Sequence, residues 1–183
     1  MMHMRSTSVL LMLIAAVVIA SCTRHKNSVT GLEGSDSTGE RLIEKQKELV
    51  KDEAKDIDAY IQRAGLVMKT SQTGLRFNIE TSKSGGDSLR PMDEVGIEYE
   101  VSLLSGELVY ASDSTGKLNL IIGRSDLATG LQEGLQLMKT GDQALFLLPS
   151  HLAYGLTGDG DKIRGYQPLI IRVKSVEKIN SSK

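Results

Sequence analysis

The residue types that could do chemistry in this chain are few. Its 183 residues hold one cysteine, three histidines and no tryptophan. Cys22 has no second cysteine to pair with, so no intramolecular disulfide is open to it. His3, His25 and His151 are far apart, and no H-x-x-x-H or C-x-x-C spacing joins them. A metal site is therefore not expected, nor is a cofactor. Ser150-His151 has no acidic residue at a spacing that would build a nucleophile and its base. Gly158-Asp159-Gly160-Asp161 has carboxylates, but it lacks the length and closing Glu of a calcium loop and reads as a solvated turn. What remains are hydroxyl donors. Tyr154 stands in Leu152-Ala153-Tyr154-Gly155, on a loop with further glycines at 158 and 160. Tyr99 stands in the alternating stretch 95–103. Each hydroxyl either donates to a bound carbonyl or is a rim group that satisfies itself on a neighbour.

The elements that must hold these tyrosines are legible in the pattern. Leu131, Leu135 and Met138 recur at helical spacing. Thr140-Gly141-Asp142 is a turn. Gln143–Leu148 is an apolar strand, and Pro149, with no N–H for a ladder, ends it. Leu75, Phe77 and Ile79 alternate with polar residues, as do Val95, Ile97, Tyr99, Val101 and Leu103; both read as half-buried strands. Residues 118–122 and 169–177 are two more strands, the last closing the sheet.

The run Gly130, Gly134, Leu135, Met138, Gly141, Asp142, Ala144, followed by Pro149, Leu152, Ala153, Tyr154 and Gly155, resembles the C-terminal half of FKBP-type peptidyl-prolyl isomerases. Gly74, Leu75, Phe77, Ile79, Pro91, Val95, Ile97, Tyr99, Leu104 and Gly106 extend the resemblance, which spans about residues 73–179. It implies an α+β fold: an FKBP-like antiparallel sheet of about five strands wrapped around one short helix. It implies proline-containing polypeptides as clients. Position by position, it implies catalytic roles for Tyr99 and Tyr154. It places the pocket at Val109, Tyr110, Leu118, Leu127, Ala128, Leu131, Ile163 and Ile171. The family's pocket has aromatic walls, a tryptophan floor and an aspartate. Here the floor is Leu131, the walls are mostly aliphatic, and the phenylalanine-aspartate pair falls on Val109 and Tyr110. The resemblance therefore implies weak catalysis or none, with substrate binding retained.

The N-terminal part carries the address. Arg5 precedes an unbroken apolar run, Val9–Ala20, shorter than the roughly 20 residues a membrane-spanning helix needs. It ends in Ile19-Ala20-Ser21-Cys22, which resembles the lipobox of bacterial lipoproteins. Residues 1–21 are then a signal peptide, with lipid on Cys22 and a flexible Ser/Thr/Gly tether over 22–39. By the same resemblance, the absence of aspartate beside Cys22 favours the outer membrane, on the periplasmic side of the cell envelope. Residues 40–66 form an amphipathic helical extension, with Leu42, Ile43, Leu49, Val50, Ala54, Ile57 and Ile61 on one face. Thr38 is expected to cap its start and Gly65 its end. The stripe at 40–64 packs on its own domain, on a second copy in a homodimer, or on a partner protein. A net charge of −1 does not favour nucleic acid as a partner. Two functions are open: a membrane-tethered isomerase assisting the folding of exported proteins, and a non-catalytic FKBP-like binding lipoprotein of a cell-envelope assembly.

Overall fold

The computed structural model describes residues 36–81 and 85–179. The signal peptide 1–21, Cys22 and most of the 22–39 tether lie outside the described residues. No described helix is long and apolar enough to cross a membrane.

The first element is a 29-residue helix, α1 (Asp36–Ala64). It begins four residues before the expected start at residue 40, so Thr38 lies within it rather than at its cap. It ends as the sequence indicates. Gly65 has φ 63°, its N–H donates to Gln62 O, and the Leu66 N–H donates back to Ile61 O at 3.0 Å. Those two bonds close the helix on a left-handed glycine.

The described strands form one antiparallel sheet. They are β1 (Lys69–Thr70), β2 (Arg76–Glu80), β3 (Glu94–Leu103), β4 (Leu108–Ala111), β5 (Leu118–Ile121), β6 (Gln143–Leu148) and β7 (Leu169–Lys178). Their order is β1-β2-β6-β7-β3-β4, with β5 also on β3. β4 pairs with residues 100–102 of β3, and β5 pairs with 94–97. They are two halves of one edge, parted by a single-turn helix, α2 (Ser112–Thr115). The five strands read from the sequence are β2, β3, β5, β6 and β7, and the described residues add β1 and β4.

One face of the sheet holds the main core around α3 (Thr129–Gln136). Leu131 and Leu135 point into a cluster with Phe146, Leu148, Leu169, Ile171 and Val173. The approach is close because α3 carries glycine where it meets β6. A Cβ on Gly134 would stand 2.7 Å from the Phe146 ring, and one on Gly130 2.8 Å from Leu148 Cγ.

The alternate residues of β6 and β7 point the other way, and α1 covers them. Ile57 is fully buried against Leu147 and Ile170, with Tyr60, Ile61, Met68, Leu104 and Leu145 around it. This explains why β6 has no polar face: helices lie on both sides of it. It also explains Arg76, which the alternation of β2 assigns to solvent. Arg76 is buried, and its Nε and Nη2 donate to Asp58 Oδ1 of α1 at 3.2 and 3.0 Å. Ile57 and Ile61 of the sequence-derived stripe thus pack on their own domain, while Leu42 and Ile43 are exposed.

Candidate functional site

Tyr99 is placed by an interruption in the sheet. Opposite it, the edge strand leaves the ladder to make α2, so its backbone N–H lacks a strand partner there. That N–H donates to Ser112 Oγ at 3.1 Å, and the Tyr99 hydroxyl shares a 3.3 Å hydrogen bond with Thr115 Oγ1. The pairing of β3 with β7 slips between Glu98 and Tyr99, and that of β3 with β4 between Val101 and Ser102, next to Val109. Such bulges re-aim side chains.

Tyr154 follows a short 3₁₀ turn, Ser150–Leu152, that begins directly after Pro149. The Ser150 carbonyl accepts the N–H of Ala153 at 3.0 Å and of Gly155 at 2.8 Å, so the backbone wraps around this tyrosine. The following loop doubles back on itself. Tyr166 N–H donates to Gly155 O, and Asp159 N–H donates to Ile163 O. A Cβ on Gly158, at φ +75°, would lie 2.0 Å from Ile163 O, so only glycine fits at this crossing.

All ten residues assigned from the sequence border the one main core cluster. Val109, Ala128, Leu131, Ile163 and Ile171 are buried in it, and Tyr99, Tyr110, Leu118, Leu127 and Tyr154 pack against it half-buried. The buried set is nearly closed to solvent; Leu131, at the floor position, is 5% exposed. The half-buried set supplies the accessible part.

The carboxylate absent at position 110 arrives from elsewhere. The Tyr110 hydroxyl donates to Asp159 Oδ2 at 2.5 Å and lies 3.2 Å from Asp161 Oδ2. Asp159 Oδ1 accepts the backbone N–H of Asp161 and of Ile163, both at 2.9 Å. The Lys162 ammonium sits 5.0 Å from the centre of the Tyr110 ring, within cation–π reach. Hence 158–161 is not the free solvated turn its composition suggests. Burial works to raise the Asp159 carboxyl, but the Tyr110 hydroxyl and the backbone donors outweigh it and hold it below its ordinary range. The bond to Asp159, then burial, push the Tyr110 phenol far up. Burial raises the Tyr154 phenol as well, and the nearby Asp159 charge and Tyr99 add to it.

Two contributors escape a reading of the sequence alone. One is Asp159, which the sequence placed in a solvated turn and which meets Tyr110, the residue at the resemblance's aspartate position. Glu53 is the other. It stands on the apolar stripe of α1, four residues from both Leu49 and Ile57, and is buried. A charged residue at a stripe position signals a buried partner, and Ser150 is that partner. Among the described residues, no group of three His, Cys, Asp or Glu side chains gathers to hold a metal.

With this geometry in hand, comparison with known proteins is specific. The family profile described as FKBP-type peptidyl-prolyl cis-trans isomerase matches residues 85–176. A probable FKBP-type peptidyl-prolyl cis-trans isomerase, FkpA, of Neisseria meningitidis is 32% identical over 139 residues, 75% of this chain and 50% of that protein. The FK506-binding protein 1A of Neurospora crassa is 32% identical over 111 residues, 57% of this chain and 92% of the relative. The crystal structure of FkpA from Escherichia coli superposes with a TM-score of 0.58 at 26% identity, covering 92% of this chain and 80% of that one. The chain spans about half the length of the bacterial curated relatives it matches. This protein belongs to the family of FKBP-type peptidyl-prolyl cis-trans isomerases.

Proposed function

We propose that the protein is a lipid-anchored peptidyl-prolyl isomerase of modest activity that acts on exported polypeptides. The barrier to rotation about a peptide bond is about 18–20 kcal/mol, because resonance gives the C–N bond double-bond character. No nucleophile or metal is needed to lower it. An apolar site takes the amide out of water, which disfavours the planar, more polar form. A donor that bonds the carbonyl better in the twisted form then lowers the barrier further. In this reading the aliphatic surface formed by Leu118, Leu127 and the floor around Leu131 receives the proline ring. The Tyr154 hydroxyl donates to the carbonyl. The Tyr110–Asp159 pair keeps the loop beside Tyr154 closed and places a negative charge at the rim. The single observation that carries the reading is the set of half-buried tyrosines, 99, 110 and 154, around an apolar floor, with one of them bonded to Asp159.

The modest rate follows from the lining. Leucine desolvates an amide but offers less contact area than an indole. The same lining favours a second reading, a module that holds proline-containing segments without turning them over, as part of a cell-envelope assembly. A protease-coupled isomerisation assay on a proline tetrapeptide separates the two. Turnover above the uncatalysed rate, reduced about tenfold in Tyr154→Phe by the loss of one hydrogen bond, supports the enzyme. Saturable peptide binding without turnover supports the module. The anchor rests on residues 1–22, and the periplasmic address on the absence of aspartate after Cys22. Association with a second copy or a partner through the exposed Leu42 and Ile43 completes the proposal.

A further inference from the structure

Apart from the largely exposed Asp58 on Arg76, the face of α1 that meets the sheet is apolar except at one place. Leu49 and Val50 are half-buried and Ile57 is fully buried, but between them Glu53 is only 8% exposed. A buried carboxyl is costly unless hydrogen bonds replace its water. Both of its oxygens are used, and by one residue. Ser150 donates its backbone N–H to Oε2 at 2.8 Å and its hydroxyl to Oε1 at 2.6 Å. Ser150 is itself 5% exposed.

The other side of Ser150 faces the site. Its carbonyl accepts the N–H groups of Ala153 and Gly155, the residues on either side of Tyr154. The donors of Ser150 are therefore held by α1, and its acceptor holds the turn that carries Tyr154. The remaining ties in this region are single ones: Leu152 N–H donates to Pro149 O, and Tyr166 N–H donates to Gly155 O on one side of the tyrosine. His151 Nε2 is 3.1 Å from Thr73 O, and Thr129 Oγ1 donates to Leu152 O at 3.4 Å. None fixes the backbone on both sides of the tyrosine. The second polar anchor of α1, Asp58 on Arg76, leads to Gly74 O and not to this turn.

We propose that Glu53 is a positioning residue for the isomerase site: acting through Ser150, it sets the turn that aims the Tyr154 hydroxyl. The proposal rests on the reading of Tyr154 as the donor. It gives α1 two separable tasks, docking through Ile57 and Asp58, and alignment of the site through Glu53.

The test uses the full chain as wild type, Glu53→Ala, Glu53→Gln and Asp58→Ala. It measures kcat and KM on a proline tetrapeptide well below each unfolding midpoint. It also measures amide hydrogen exchange at Ala153 and Gly155, with Phe146 of β6 as the internal control. In Glu53→Ala, exchange at Gly155 should speed up about tenfold or more with Phe146 unchanged. kcat/KM should fall about tenfold, mostly in kcat. Glu53→Gln keeps an acceptor oxygen and should recover most of both. Asp58→Ala should lower the midpoint and leave Gly155 exchange and kcat near wild type. Wild-type exchange at both amides in Glu53→Ala, or equal acceleration in Asp58→Ala, overturns the proposal. Faster exchange with unchanged kcat/KM overturns its link to the site. If the wild type shows no turnover, the isomerase reading falls, and the exchange measurements alone decide whether Glu53 sets the turn.

Discussion

Tyr110 and Asp159, 49 residues apart in sequence, meet at 2.5 Å across the rim of the site, the phenol donating and the carboxylate accepting. The contact joins the edge strand β4 to the loop after Tyr154. Each partner moves the other's titration. The bond to Asp159, then burial, raise Tyr110; Asp159 is held down by Tyr110 and the loop N–H groups against the opposing effect of burial.

These shifts predict a pH window. Asp159 has a depressed pKa in the folded state, so its contribution is complete above the ordinary carboxylate value of about 3.9 and is lost as pH falls through the depressed value. Tyr110 has a raised pKa, so its contribution is complete below about 10 and is lost as pH climbs through the raised value. Phenolate absorbance should show Tyr110 ionising well above the ordinary phenol range, and Asp159→Asn should bring that ionisation down. An unchanged alkaline titration in the variant would contradict the pairing.

Leu131 tests whether the floor is filled. At 5% exposure it leaves an indole little room, so Leu131→Trp should lower stability by about 1–3 kcal/mol. Chemical denaturation reads this directly. An unchanged midpoint together with faster turnover would instead reveal an open pocket able to accept the ring.

Helix α1 has two ends with different consequences. Ile57→Ala removes a fully buried side chain from the helix–sheet contact and should cost about 2–5 kcal/mol. Leu42→Glu combined with Ile43→Glu changes exposed residues and should leave the unfolding midpoint in place. If this end is the assembly surface, the double variant should also sediment more slowly than wild type. Equal sedimentation of the two would exclude it.

Cys22→Ser tests the anchor. Incorporation of labelled fatty acid into the wild type and none into the variant is the expected result. Equal labelling would place the lipid elsewhere or nowhere.

Periodicity and turn chemistry carried most of the secondary structure, though not β1, β4, α2 or the first turn of α1. The alternation in β3, the apolar run Gln143–Leu148 with Pro149 behind it, and the stop at Gly65 are local signals, and the strands and the helix end appear where those residues put them. Gly130 and Gly134 stood in the sequence only as motif positions; that they let α3 lie close on β6 is seen in the packed chain. The ten residues that the family resemblance assigned border one cluster, five of them on strands and five on the helix and loops that face it. Contacts between distant segments had no such signal. Arg76 reads as an outward residue of a strand until α1 covers it. The acidic turn at 158–161 reads as solvated until Tyr110 reaches Asp159. Glu53 finds Ser150 across 97 residues. Local pattern reports which face of an element is apolar; which segment comes to lie on that face is decided only by the packed chain. Desolvation then forces every buried polar group to find a partner there, and those partners come from segments that no local pattern joins.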